Sequence, residues 1–108
     1  MLPKSQRETV EEWLKLAQQF QTTLNGRQER TMVMKQWEEL KQQFHSRILP
    51  LTENPRLLAW VRETHRLLRI LDTQLLFWTS ARGEESQRRH MAIFQQLLQQ
   101  LLTLTPPL

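Results

Sequence analysis

The stretch 55-PRLLAWVRETHRLLRILDTQLLFWTSA-81 decides the fold. Within it Leu57, Val61, Thr64, Leu68, Leu71, Leu75 and Trp78 recur at alternating steps of four and three, the spacing that lines one stripe of an α-helix. Asn54-Pro55 supplies the start, with a side-chain cap followed by a proline in the first turn, and Gly83 lies just past the end. At ~1.5 Å per residue such a helix is about 40 Å long. Leu58, Trp60, Leu67, Ile70, Leu76 and Phe77 widen its apolar surface beyond one stripe, which marks it as the central helix of the fold.

Three further helices follow from the same spacing. Ser5-Gln6-Arg7-Glu8 has the spacing of a capping box, and Val10, Trp13, Ala17, Phe20 and Leu24 form a stripe that ends at Asn25-Gly26, residues suited to a left-handed stop. Val33, Trp37, Leu40, Phe44 and Ile48 form a second stripe, which Pro50 is expected to terminate because proline lacks an N–H and restricts the residue before it. The last begins near Ser86, uses Met91, Phe94, Leu97, Leu98, Leu101 and Leu102, and stops at Thr105-Pro106-Pro107. Short connections make consecutive helices antiparallel neighbours. The expected fold is therefore all-α: an antiparallel up-down-up-down four-helix bundle with a long, central third helix, spanning 1–108 as one domain.

Composition agrees and narrows the function. Leu and Gln dominate, Gly occurs only 2 times in the 108 residues, and few residues are β-branched, a mixture that favours helix over sheet. Cys 0 removes disulfides, thiolate metal sites and thiol nucleophiles. Asp72 is the only aspartate and there is no glycine-rich loop, so phosphate-cradling loops and aspartate-based metal chemistry are not expected. The formal charge of +4 is spread evenly, with 8 basic and 6 acidic residues up to Leu49 and 7 and 5 after it. A nucleic-acid binder usually concentrates its charge on one face. Met1-Leu2-Pro3-Lys4 runs into polar residues and no apolar run approaches ~20 residues, so a cytoplasmic location is expected.

No constellation of residues points to catalysis or to a metal or other cofactor. No Glu has a His three residues later, and His45, His65 and His90 each stand on a different helix without a second His one turn away. Glu11-Glu12, Glu38-Glu39 and Glu84-Glu85 are adjacent pairs, which diverge by about 100° on a helix instead of converging on a substrate. Trp13, Trp37 and Trp78 fall on apolar stripes and read as core, and Trp60 lies on the flank of its stripe.

The informative surface is the outer face of the third helix. Arg62, Arg66, Arg69 and Thr73 fall opposite its apolar seam, with Ile70 and Phe77 beside the arginine row. Arginine rows edged by apolar side chains are common in protein interfaces. Arg62, Arg66, Arg69, Ile70 and Phe77 are thus the candidate partner-binding residues. The alternative is a solvated face whose Ile70 and Phe77 are covered by a neighbouring helix.

Two stretches carry a resemblance. Phe44-His45-Ser46-Arg47-Ile48-Leu49-Pro50-Leu51-Thr52 joins a helix end to a proline, and the run from Leu67 to Arg82 follows it at a fitting distance. Together they resemble the cyanobacterial family of the heterocyst frequency control protein PatD, with Arg69, Leu71, Phe77, Ala81 and Arg82 at matching positions and Gln74 where an acidic residue is expected. The resemblance implies a non-enzymatic protein that binds the division protein FtsZ, modulates its assembly and, in filamentous species, sets heterocyst frequency. It implies a protein partner and no small-molecule substrate. The alternative reading is a basic helical nucleic-acid-binding protein, motivated by the sequence pI of about 10.3 and the excess of Arg over Lys.

Overall fold

Every stripe residue of the first three helices is buried, and so are Met91, Phe94, Leu98 and Leu101 of the fourth. In the computed structural model, which describes residues 2–107, the chain forms α1 (Lys4–Asn25), α2 (Arg30–Gln43), α3 (Pro55–Ser80) and α4 (Glu84–Thr103), with no strand among the described residues. A one-turn π-helix (Phe44–Ile48) and a 3-10 turn (Leu49–Glu53) link α2 to α3.

Cross-helix contacts fix the order around the bundle. The Trp13 indole N–H donates to the Leu40 carbonyl at 3.1 Å, tying α1 to α2. The Trp37 indole N–H donates to Asp72 Oδ1 at 2.8 Å, tying α2 to α3. Phe77 and His90 rings, 5.6 Å apart, join α3 to α4, and the Gln95 amide donates to the Leu24 carbonyl, joining α4 back to α1. Gln21–Gln99 and Leu24–Gln95 run in opposite order along α1 and α4, as antiparallel helices require. The result is an antiparallel four-helix bundle, 48 Å by 21 Å by 20 Å, with α3 its longest helix.

Aromatic rings fill the middle. Trp13 meets Phe44 at 5.3 Å between centroids, Trp37 meets Phe94 at 5.4 Å, and Phe20 meets Trp37 and Phe94 at 5.9 and 6.0 Å. Tilted and edge-on arrangements prevail, which suits the ring quadrupoles. Leu68 and Leu71 lie in the same core.

Local details differ from the sequence expectations. The Ser5–Glu8 capping box does not form: the helix starts two residues earlier, Pro3 takes the cap position without a side-chain bond, and the Ser5 carbonyl instead accepts from the Thr9 hydroxyl within the helix. Gly26 ends α1 with φ −99°, outside the left-handed region; its N–H bonds to the Thr23 carbonyl. Pro50 does not stop the second helix. The α-helical pitch already gives way at Phe44, whose N–H is shared between the Leu40 and Lys41 carbonyls, and Pro50 sits in the first turn of the 3-10 helix, where no N–H is needed. Asn54 caps α3 as expected, accepting from the Arg56 N–H at 3.0 Å. Gly83 precedes α4 with φ +93°, a conformation that other residues adopt only under strain. Leu76 and Phe77 stay exposed, so the apolar girth of α3 is covered only in part.

Two polar groups in the core have no partner among the described residues, the Trp60 indole N–H and the Thr64 hydroxyl. Thr64, on the α3 seam, is fully buried and its hydroxyl makes no hydrogen bond among the described residues. Leaving such a group unpaired costs about 1–3 kcal/mol. Thr64→Val keeps the shape and removes the hydroxyl, so it should stabilise the chain by about 1 kcal/mol in urea unfolding. A loss of stability instead would mean that the hydroxyl is satisfied in solution.

Candidate functional site

The extra residue wound into the π-helix reorients the end of the second helix. Such turns are frequent at functional sites because they re-aim side chains. Here the turn buries Phe44 and Ile48 on the stripe while carrying His45 to the α3 side. His65 stacks on Phe44, with ring centroids 5.8 Å apart and planes 21° apart, and His45 meets His65 edge-on at 5.7 Å. Lys41, His45, His65, Leu68, Arg69 and Asp72 line a cavity of about 140 Å³ at this junction.

An open, shallow groove along α3 alone adjoins it, sharing His65 and Arg69 and lined further by Arg62, Arg66, Ile70 and Thr73. Four of the five candidate residues from sequence therefore share one groove. Phe77 does not; it is 45% exposed and leans on His90 of α4. The histidine pair was missed at sequence level, because His45 and His65 are twenty residues apart and meet only through the π-turn. Among the described residues no three of His, Cys, Asp and Glu converge to hold a metal ion.

Charges in the groove are unequally matched. Arg66 donates through Nε to both Glu63 carboxylate oxygens at 3.2 Å, and this bond holds the Glu63 carboxyl below the usual carboxylate range. Arg62 and Arg69 form no ion pair among the described residues. Deeper in, Lys41 donates to Asp72 at 2.8 Å and pairs with Glu38 at 3.0 Å. Burial works against the charges of both Lys41 and Asp72. The hydrogen bonds outweigh it: those from Lys41 and Trp37 hold the Asp72 carboxyl low, and those to Asp72 and Glu38 hold the Lys41 ammonium high.

The Asp72 pairing gives a pH signature. A carboxyl lowered in the folded state contributes stability above its unfolded value, ~3.9, and loses that contribution as pH falls through the folded value. Asp72→Asn should therefore cost about 1 kcal/mol or less at pH 7, since the side chain is 53% exposed and screened by solvent. The gap between wild type and variant should shrink below about pH 4 in urea unfolding. A gap that widens on acidification would contradict this assignment.

Comparison with known proteins alters the reading of function. No helix of the described residues is long and apolar enough to cross a membrane. No curated protein and no solved structure matches the chain at a significant level. A family model, the FCD domain, matches residues 4–101. That match overturns the PatD resemblance, and with it FtsZ modulation, cell division and heterocyst control as the function. It also overturns the expected absence of a small-molecule ligand, because FCD domains are ligand-binding domains of GntR-type transcriptional regulators. The physical reason for the false lead is plain in the structure. In the two stretches that carried it, Phe44, Ile48, Leu67, Leu68, Leu71 and Leu75 are core residues that any bundle of this size needs, and of the matching positions Arg69, Phe77 and Arg82 are exposed. Spanning nearly the whole chain where the resemblance rested on two stretches, the match decides the family: this chain belongs to the FCD domain family.

Proposed function

We propose that the chain is a non-catalytic, effector-sensing regulatory domain of the GntR type, acting in the cytoplasm as one folded unit. The observation that carries this reading is the FCD match over residues 4–101. FCD domains bind metabolites in transcription factors of this type. The effector seat we propose is the groove on the outer face of α3, lined by Arg62, His65, Arg66, Arg69, Ile70 and Thr73. Supporting this placement, the bundle interior is closed by Trp13, Phe20, Trp37, Phe44 and Phe94, each 3% exposed or less. Arg62, Arg66, Arg69 and Ile70 then serve a small molecule where the sequence suggested a protein partner.

Of the two functions read from sequence, the nucleic-acid-linked one is the closer, since the family acts in transcription. Direct DNA contact by these helices is a separate question, with its own signature in salt dependence.

The test is a thermal-shift screen of the whole chain against a metabolite panel. A ligand present at a hundred times its Kd stabilises the folded state by about 2.7 kcal/mol, which moves the midpoint by several degrees. A dose-dependent rise with at least one metabolite is expected. A panel without any rise, together with a steeply salt-dependent shift of random DNA, would replace the sensor with a nucleic-acid binder.

A further inference from the structure

We propose that His45 and His65 together bind a divalent transition-metal cation of the zinc and copper class, which ties the π-turn to α3. The inference stands apart from the sensor reading and needs no effector.

Two elements build the pair. His65, half-buried on α3, is held by its stack on Phe44, and the π-turn brings His45 to it with ring centroids 5.7 Å apart. At metal–nitrogen bonds of about 2.0–2.1 Å, two imidazoles on one tetrahedral cation have centroids about 5 Å apart. A small turn of the exposed His45 ring reaches that geometry while Phe44 keeps His65 in place. The hydrogen bonds around the junction run from Trp37 and Lys41 to Asp72 Oδ1 and from Ser46 to the Gln42 carbonyl, and they use no ring nitrogen of the pair. His90 differs: its Nδ1 is buried without a partner, and its ring leans on Phe77.

Charge and donor type select the cation. Lys41, in the same cavity lining, is already matched by Asp72 and Glu38, which leaves Arg69 as the lining's one cation without an ion pair among the described residues. Asp72 accepts both of its bonds at Oδ1, so Oδ2 is left to accept from a water on the cation. Imidazole nitrogen suits zinc, copper and nickel, whereas magnesium and calcium prefer oxygen ligands. With no cysteine in the chain, no thiolate competes for the metal. Two rings completed by water, with no third protein ligand among the described residues, make an open and exchangeable site.

Calorimetric titration of the whole chain with zinc chloride, copper sulfate and magnesium chloride, in a non-coordinating buffer, tests this. One equivalent of Zn(II) should bind, Cu(II) should bind more tightly, and Mg(II) should give no heat of binding. His45→Gln should weaken Zn(II) about tenfold or more, at least the loss seen when a group that only orients a ligand is removed. Its helical spectrum should be unchanged, because His45 is exposed. His65→Gln should weaken Zn(II) equally; if loss of the stack on Phe44 unfolds that variant, His45→Gln decides alone. His90→Gln, on α4, should change affinity less than about twofold. Arg69→Gln should tighten Zn(II) about twofold or more, by removing the unmatched cation from the lining. Zn(II) at saturation should raise the thermal midpoint of the wild type and not that of His45→Gln. Absence of binding at millimolar Zn(II), equal binding of Mg(II), or equal weakening by His90→Gln and His45→Gln would overturn the site.

Discussion

Trp37→Ala is expected to cost about 3–5 kcal/mol of stability, against a total of about 5–15 for a domain of this kind. Trp37 is fully buried, meets Phe20 and Phe94 ring to ring, and supplies one of the donors to Asp72. Truncation opens a cavity at the meeting point of α1, α2 and α4 and leaves Asp72 with Lys41 alone. Trp37→Phe separates the two contributions. It keeps much of the packing and loses the indole N–H, so a smaller cost, near ~1 kcal/mol for the hydrogen bond plus partial packing loss, is expected. Urea unfolding followed by far-ultraviolet circular dichroism reads both. A cost below about 1 kcal/mol for the alanine variant would mean that the aromatic core is not built around this ring.

Leu71→Ala should cost about 2–5 kcal/mol, through lost transfer energy and the residual cavity. Leu71 is 0% exposed on the seam of α3. Leu76, five residues on in the same helix, is 61% exposed, and Leu76→Ala should stay within about 0.5 kcal/mol. The same substitution on the same helix thus separates the seam from the outer face. Similar costs at both positions would mean that α3 is misrotated.

The stripes were legible because burial on a helix leaves a period in sequence. Val10, Trp13, Ala17, Phe20 and Leu24 could be placed in the core from spacing alone, and Asn54 could be named as a cap from Asn-Pro alone. Pro50 misled for a physical reason. A proline forbids its own N–H bond, but the 3-10 turn that follows the π-helix needs none there, so the chain keeps winding past it. The π-helix itself has no sequence period, and the packing of Phe44 under Trp13 and His65 accompanies it. The histidine pair hangs on that turn, which is why it was invisible beforehand.

The arginine face was legible as a surface and not as a ligand seat. Spacing placed Arg62, Arg66 and Arg69 opposite the seam, but not the neighbouring cavity that His45 of the π-turn helps to line. Phe77 was grouped with them because one helix face includes it; the ring turns toward α4 and His90 instead. Family membership was the least legible feature. Leucine seams and a helix-proline junction satisfy the packing needs of many bundles, so they resemble more than one family, and only a match along residues 4–101 distinguishes them.

On the function proposed above, a closed bundle senses its effector from outside, on α3. Backbone amide shifts of the isotope-labelled chain, titrated with the metabolite that raises its midpoint most, test this directly. The expected result is perturbation confined to Lys41–Ile48 and Arg62–Thr73, with the amides of Val10, Phe20 and Phe94 unmoved. Perturbation centred on Trp13, Phe20 and Phe94, with the Arg62–Thr73 amides unmoved, would contradict it by showing that the core opens to admit the ligand.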